Sequence, residues 1–201
     1  MKESILQKAT ELFLTLGFKS VTMDDIAHKM GISKKTIYQH FKTKHELVEA
    51  TSFELFELIA GGINCICALE NNPIDEIYNI KQFVMQHLKD EKSSPQYQLQ
   101  KYYPKIFNSL KQKQFEVMHH CVANNLNRGI AQNLFRKNIN IDFINRIYFS
   151  GIMTIKDRDL FPENQFSMNV LMENFIEYHL RGICTQKGLD YLQNYIAKNK
   201  I

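Results

Sequence analysis

The segment TMDDIAHKMGISKKTIYQHFKTKHEL, residues 22–47, holds three helix starts and one tight turn. Thr22 stands before Met23-Asp24-Asp25, a hydroxyl able to cap free amides followed by two acids that suit the positive end of a helix dipole. Ile26, Ala27 and Met30 fall on one face, and Gly31 is a natural stop. Gly31-Ile32-Ser33 then reads as a short turn ending in a new N-cap. The helix that follows runs to Phe41. On a helical wheel Ile37 and Phe41 point one way, Lys35, Thr36 and Gln39 point away from them, and Lys34 and Tyr38 lie on the flank. Thr43 begins another helix through Leu47, Phe53 and Leu58, with Gly61-Gly62 as its expected end.

Upstream, Ile5, Leu6, Ala9, Leu12, Phe13 and Leu16 form one apolar stripe closed by Gly17, with Ser4 and Gln7 spaced as a capping box. Three short helices with a tight Gly-containing turn between the second and third make a helix-turn-helix pattern. Such a third helix buries one side and offers the other to base edges and phosphates in the major groove. The charge distribution agrees. The net charge is +4, and residues 1–48 carry eight lysines against five acids, a net of +3. Residues 29–44 hold five lysines and no acid. Confinement of cations to one short segment points to a polyanion.

Downstream the periodicity stays helical. Asn72-Pro73 starts a helix carrying Ile74, Ile77, Ile80, Val84 and Leu88, because Pro fits a first helical turn. Ser93-Ser94-Pro95 starts another, Pro104 interrupts or restarts it, and a run from Ile106 to Leu126 is expected to break at Gly129. Ile141–Ile155 carries a clean apolar stripe, residues 157–165 form a loop, Ser167–Arg181 is helical, and Thr185 caps a last helix. The reading is an all-α protein of nine or ten helices.

Four cysteines in 201 residues are too sparse for a disulfide framework, and the expectation is reduced, partly buried thiols. Neither Cys65-x-Cys67 nor His119-His120-Cys121 has the spacing of a zinc site, which needs about four convergent ligands; no metal and no cofactor is expected. Adjacent residues on a helix point in different directions, so His119-His120-Cys121 does not read as a thiol–imidazole centre. Without a phosphate loop or a paired-carboxylate motif, no enzyme is expected. No apolar run approaches the roughly 20 residues of a membrane span, and the start lacks the pattern of a secretion signal. A cytoplasmic location is expected.

Ala9–Gly17 (ATELFLTLG), Thr22–Gly31 (TMDDIAHKMG) and Ile32–Leu47 (ISKKTIYQHFKTKHEL) resemble the tetracycline-repressor (TetR/AcrR) family of transcriptional regulators, with Tyr38-x-His40-Phe41-x-x-Lys44-x-x-Leu47 after Gly31-x-Ser33 as the most specific part. The resemblance implies a helix-turn-helix domain over residues 1–46 and a helical ligand-binding and dimerisation domain over 47–201. It implies DNA contacts from Thr22, Ser33, Lys34, Lys35, Thr36, Tyr38, Gln39, His40 and Lys44. Among these, Lys34, Lys35 and Gln39 would face base edges, and His40 and Lys44 would hold phosphates. Lys35 departs from the family, where a small residue is common, and Asp24 replaces a basic residue of some relatives. The resemblance further implies a homodimer joined by helices at about 142–155 and 167–181, with recognition helices roughly 34 Å apart on a pseudo-palindrome. It also implies a small, largely apolar effector that releases the repressor. Tyr102, Tyr103, Phe107, Met118, Cys121 and Tyr148 are the candidate pocket residues. A nucleoid or structural protein without an effector, and an activator, are the alternatives.

Overall fold

The computed structural model describes residues 1–88 and 95–199. Its ten helices are α1 (Lys2–Leu16), α2 (Met23–Met30), α3 (Lys34–His40), α4 (Lys44–Ala68), α5 (Pro73–His87), α6 (Pro95–Tyr102), α7 (Pro104–Ala131), α8 (Ile141–Thr154), α9 (Met168–Ile183) and α10 (Gln186–Asn199). Among the described residues the only β pairing is an isolated bridge between Phe135 and Cys184. The expected starts at Thr22, Ser33, Thr43, Asn72-Pro73, Ser167 and Thr185 all act as caps or first turns. Ser93 and Ser94 lie outside the described residues.

Several expected boundaries move. α1 starts at Lys2 without a side-chain cap, so Ser4 and Gln7 form no capping box. α4 runs through Gly61-Gly62 to Ala68, and α7 runs through Gly129 to Ala131. Glycine in a helix interior costs about 1 kcal/mol relative to alanine, and here contact explains the residue. A Cβ on Gly62 would lie 2.0 Å from the Phe83 ring, and one on Gly129 would lie 2.0 Å from the Phe135 ring. These glycines are sockets for aromatic rings. The extended α4 is also long and apolar enough to span a membrane by length and composition, with a mean hydropathy of 1.2, contrary to the expectation of no such run. It nevertheless carries exposed Glu54 and Glu57 and contributes Leu47, Val48 and Thr51 to a protein core.

The chain divides into two compact units, residues 1–60 with 86–114, and residues 61–85 with 115–201. In the first, Ile5, Ala9, Phe13, Ile26, Ile37, Phe41 and Leu47 make a continuous core, joined by Leu99 of α6 and by Ile106 and Leu110 of α7. Each of the large side chains among them contributes about 1.5–3 kcal/mol by leaving water. In the second, Ile74 and Tyr78 of α5 pack with Leu126, Phe135, Ile176, Leu180, Ile183 and Leu192. α8 and α9 approach closely where Gly151 lies under the Phe175 ring.

Contrary to the expectation of four reduced thiols, Cys67 of α4 and Cys121 of α7 form a disulfide within the second unit. Pairing depends on spatial approach, which linear spacing across 54 residues does not reveal. The Cα atoms lie 6.5 Å apart, within a disulfide's reach. Cys65 is an exposed thiol and Cys184 a buried one.

Two stability predictions follow from this packing. A Cβ on Gly188 of α10 would meet the Leu134 carbonyl oxygen at 2.1 Å, a backbone atom that cannot swing away. Gly188→Ala should therefore destabilise the protein by about 1–3 kcal/mol in denaturant melts; an unchanged midpoint would refute the close approach. His179 is buried, its ring 4.6 Å from that of Tyr148, and burial lowers its pKa to about 4. The unfolded imidazole titrates near 6.5, so the unfolded chain binds the proton more readily and stability falls as pH drops from about 6.5 toward 4. Between pH 7.5 and 5.0 the protein should lose about 2 kcal/mol that His179→Gln does not lose. Equal losses in the two proteins would exclude the effect.

Candidate nucleic-acid interface

One reciprocal cap, two further side-chain caps and one αL glycine set the geometry of residues 22–47. The Thr22 hydroxyl oxygen accepts from the Asp25 N–H at 3.1 Å, and Asp25 Oδ2 accepts from the Thr22 N–H at 2.8 Å and from the Thr22 hydroxyl at 2.7 Å. These bonds hold the Asp25 carboxyl below its ordinary pKa. Gly31 closes α2 at φ 64 and ψ 30, the left-handed region where a side chain is costly. Ser33 starts α3, its hydroxyl oxygen accepting from the Thr36 N–H at 3.1 Å. At the start of α4, Thr43 Oγ1 accepts from the Glu46 N–H at 3.1 Å, while Glu46 Oε2 accepts from the N–H of the preceding Lys42 at 2.7 Å.

Ile37 is fully buried, and Phe41 closes the end of α3 at 1% exposure. That anchoring turns Lys34, Lys35, Tyr38 and Gln39 outward, with Thr36 and His40 half-buried. Among the described residues, Lys35 and Gln39 make no side-chain hydrogen bond or ion pair. They sit one helical turn apart, so a cation and an amide share one exposed face. The nine sequence-predicted residues therefore share one segment, but in different states. Thr22 and Ser33 are already committed to caps, and the Ser33 and Thr36 hydroxyls lie 2.9 Å apart.

Lys34 is paired. Its Nζ lies 2.5 Å from Asp24 Oδ2 and 6.0 Å from the Tyr38 ring centroid, and the bond to Asp24 raises the ammonium's pKa. Sequence reasoning placed both residues but missed the bond, which joins the start of α2 to the start of α3. The available signal was an acid and a lysine at the two N-termini flanking the turn. Lys44 donates to the Lys19 carbonyl oxygen at 3.3 Å, and partial burial pushes its pKa down, countered in part by the Asp25 charge. Its position in the first turn of α4 is electrostatically adverse.

The six candidate effector residues divide between the units. Tyr103 and Phe107 pack on the first core, the Tyr103 ring 5.5 Å from His45, while Tyr102 is exposed beneath the Lys19 ammonium. Met118, Cys121 and Tyr148 belong to the second unit. Cys121 is bonded to Cys67, and Tyr148 stacks on Phe175 at 5.6 Å. Cys67, Cys121 and Glu76 bring their ligand atoms within 4.8 Å of one another. The Glu76 oxygens, however, are already taken by Asn125 and the Arg128 guanidinium.

Residues 5–51 match the family described as bacterial regulatory proteins, tetR family. The HTH-type transcriptional repressor KstR2 of Mycolicibacterium smegmatis is 22% identical over 192 residues, 93% of this chain and 92% of that repressor. The negative regulator IcaR of the Staphylococcus aureus biofilm operon icaADBC is 31% identical over 90 residues, covering 45% of this chain and 47% of IcaR. Among solved structures, a TetR-family regulator from Agrobacterium tumefaciens superposes with a TM-score of 0.73 at 17% identity, over 92% of this chain and 97% of that one. The ketosteroid regulator KstR2 of Mycobacterium tuberculosis superposes with a TM-score of 0.60 at 17% identity, over 92% and 95%. At these identities the superpositions establish the fold.

The Asp24–Lys34 pair yields a test. Asp24→Asn frees one ammonium beside the exposed face, so binding to a duplex of random sequence should tighten. The plot of log affinity against log salt should steepen by about 0.9. An unchanged slope would mean that Lys34 does not face the phosphates.

Proposed function

We propose that this chain, whose residues 5–51 match the bacterial regulatory proteins of the tetR family, belongs to that family and is a transcriptional repressor. It works as a homodimer on a pseudo-palindromic operator and is released by a small, largely apolar effector. One observation carries the reading: the seven-residue α3 buries Ile37 and turns an acid-free face of Lys34, Lys35, Tyr38 and Gln39 to solvent. In this reading residues 1–46 are the DNA-binding domain and 47–201 the regulatory and dimerisation domain, and the protein acts in the cytoplasm as a regulator without catalytic activity.

Lys35 and Gln39 read base edges, the amine suited to guanine O6/N7 and the amide to adenine N6/N7. Lys34, shared with Asp24, contributes less net charge than its position suggests. Tyr38 and His40 lie along the phosphates, and Lys44 clamps one phosphate by exchanging its Lys19 carbonyl for a stronger acceptor. Thr22 and Ser33 fix the register while capping their helices, and Thr36 contacts the Ser33 hydroxyl.

The outward sides of α8 and α9 support a second copy as partner. Phe143 (57% exposed), Ile147, Val170 and Tyr178 (78% exposed) leave an apolar surface unusual for a free helix face. α8 and α9 already pack side by side, and a two-fold copy would complete a four-helix bundle. For the effector, Met118 and Tyr148 of the second unit are the candidate contacts, Tyr148 lying against the Phe175 and His179 rings. KstR2 of Mycobacterium tuberculosis, described as a ketosteroid regulator, is consistent with an apolar ligand. Effector binding favours a dimer geometry with the recognition helices off operator spacing.

Selection of bound sequences from random DNA at fixed salt tests the reading head. Lys35→Ala should change base preference at one position per half-site, and Lys44→Ala should weaken all sequences alike and reduce the salt slope by about 1. If neither variant differs from the parent, α3 is not the reading helix. Sedimentation tests the pairing. Ile147→Lys with Tyr178→Lys should give monomers with unchanged helicity and little operator binding, and a persisting dimer would move the seam elsewhere.

A further inference from the structure

We propose that Cys67 and Cys121 are a reversible thiol-modification site, taking low-molecular-weight disulfides as oxidants, and that its state sets DNA affinity. The regulatory part rests on the repressor reading; the chemistry of the site does not.

The two sulfurs are unequal. Cys121 is 6% exposed in the middle of α7, whereas Cys67, in the last turn of α4, is half-buried. One thiol is reachable by a small reagent and the other is shielded, which is the arrangement of an attacking and a resolving cysteine. The surroundings are organised around the pair. Glu76 of α5 is fully buried, with a carboxylate oxygen within 4.8 Å of both sulfurs. Asn125, one turn after Cys121, donates Nδ2 to Glu76 Oε1 at 2.8 Å and to the Pro73 carbonyl oxygen at 2.9 Å, and the Arg128 guanidinium pairs with Glu76 Oε2. The carboxylate is thus held and its charge matched, so the cysteines can change state without releasing a buried ion. Asn125 Oδ1 is buried and has no hydrogen-bond partner in the disulfide form. The exposed Cys65 lies two residues from Cys67, on another side of the same helix.

The chemistry balances. In the reduced protein the Cys67 thiolate attacks one sulfur of a reagent RSSR. The reagent's S–S bond breaks, and RS⁻ leaves, taking up the proton that Cys67 lost. Cys121 then gives its proton to solvent and attacks the Cys67 sulfur of the mixed disulfide. A second RS⁻ departs and is protonated. Two electrons pass from the two cysteines to the reagent, which leaves as two RSH, and excess RSH reverses the sequence. The new bond ties the last turn of α4 to α7, and α4 is one unbroken helix from Lys44 beside the reading head to Ala68. Redox state at one end of that helix thereby biases the other.

The test equilibrates the full-length protein in buffers of reduced and oxidised glutathione, followed by alkylation and peptide mass mapping. Cys67 and Cys121 should lose their thiols together as an intramolecular disulfide. Cys65 should form at most a mixed disulfide, and buried Cys184 should stay reduced. Affinity for a duplex carrying the selected site should differ between the two forms by about tenfold. Cys67→Ser and Cys121→Ser should each hold the reduced-form affinity under oxidant, and Cys65→Ser should switch like the parent. Glutathione left on Cys67, with Cys121 still reduced, would overturn the proposal, as would equal affinities of the two forms. Zinc bound by the reduced protein and blocking oxidation would also overturn it, in favour of a metal site at Cys67, Glu76 and Cys121. A protein that binds no DNA in either form, yet closes the disulfide as described, removes the repressor reading and leaves the thiol site standing.

Discussion

Everything at the candidate interface depends on the burial of Ile37 and Phe41. A helix of seven residues does not hold itself together in water, because nucleation consumes most of what its few hydrogen bonds return. α3 exists because two apolar side chains on one side are fixed in a core built by α1, α2 and the start of α4. That same fixation decides which residues look outward. Its caps add precision: Ser33 closes the amide end, and Gly31 in the left-handed region sets the angle between α2 and α3. The exposed chemistry of Lys35 and Gln39 is a by-product of where Ile37 must go.

Electrostatics modifies that frame. The segment from Lys29 to Lys44 contains no acid, yet Lys34 is not a free cation, since Asp24 reaches it from the preceding helix. A surface pair of this kind contributes little to stability. In the proposed function its effect lies in tuning how strongly a polyanion is attracted. Lys44 is set the opposite way, partly desolvated and resting on a carbonyl, so that a phosphate would be a better partner than the one it has.

Much of this was legible in the sequence, for reasons that differ by element. Helix starts read well because capping is local: Thr22, Ser33, Thr43, Ser167 and Thr185 each act within three residues of themselves. Helix ends at glycine read unevenly. Gly17 and Gly31 adopt positive φ and stop their helices, whereas Gly62 and Gly129 are there to admit rings from far along the chain. Composition cannot separate the two uses. The same limit hid the Cys67–Cys121 bond and the Asp24–Lys34 pair, both of which arise only after folding brings their elements together. Five of the six candidate effector residues cluster in the sequence between 102 and 121, with Tyr148 apart, and the fold distributes the six over two units.

The Phe83 ring seated over Gly62 has a consequence for how such chains can diverge. The two positions share one small volume, so a larger residue at 62 cannot enter while the ring stays in place. An alanine or larger residue at 62 requires the ring at 83 to shift or to be replaced by a smaller side chain. Aligned homologues should therefore show these columns changing in concert, with aromatic residues at the second position only where the first is glycine. Such a pair is a ruler for alignment in a region where helices shared without common motifs leave register otherwise hard to assign.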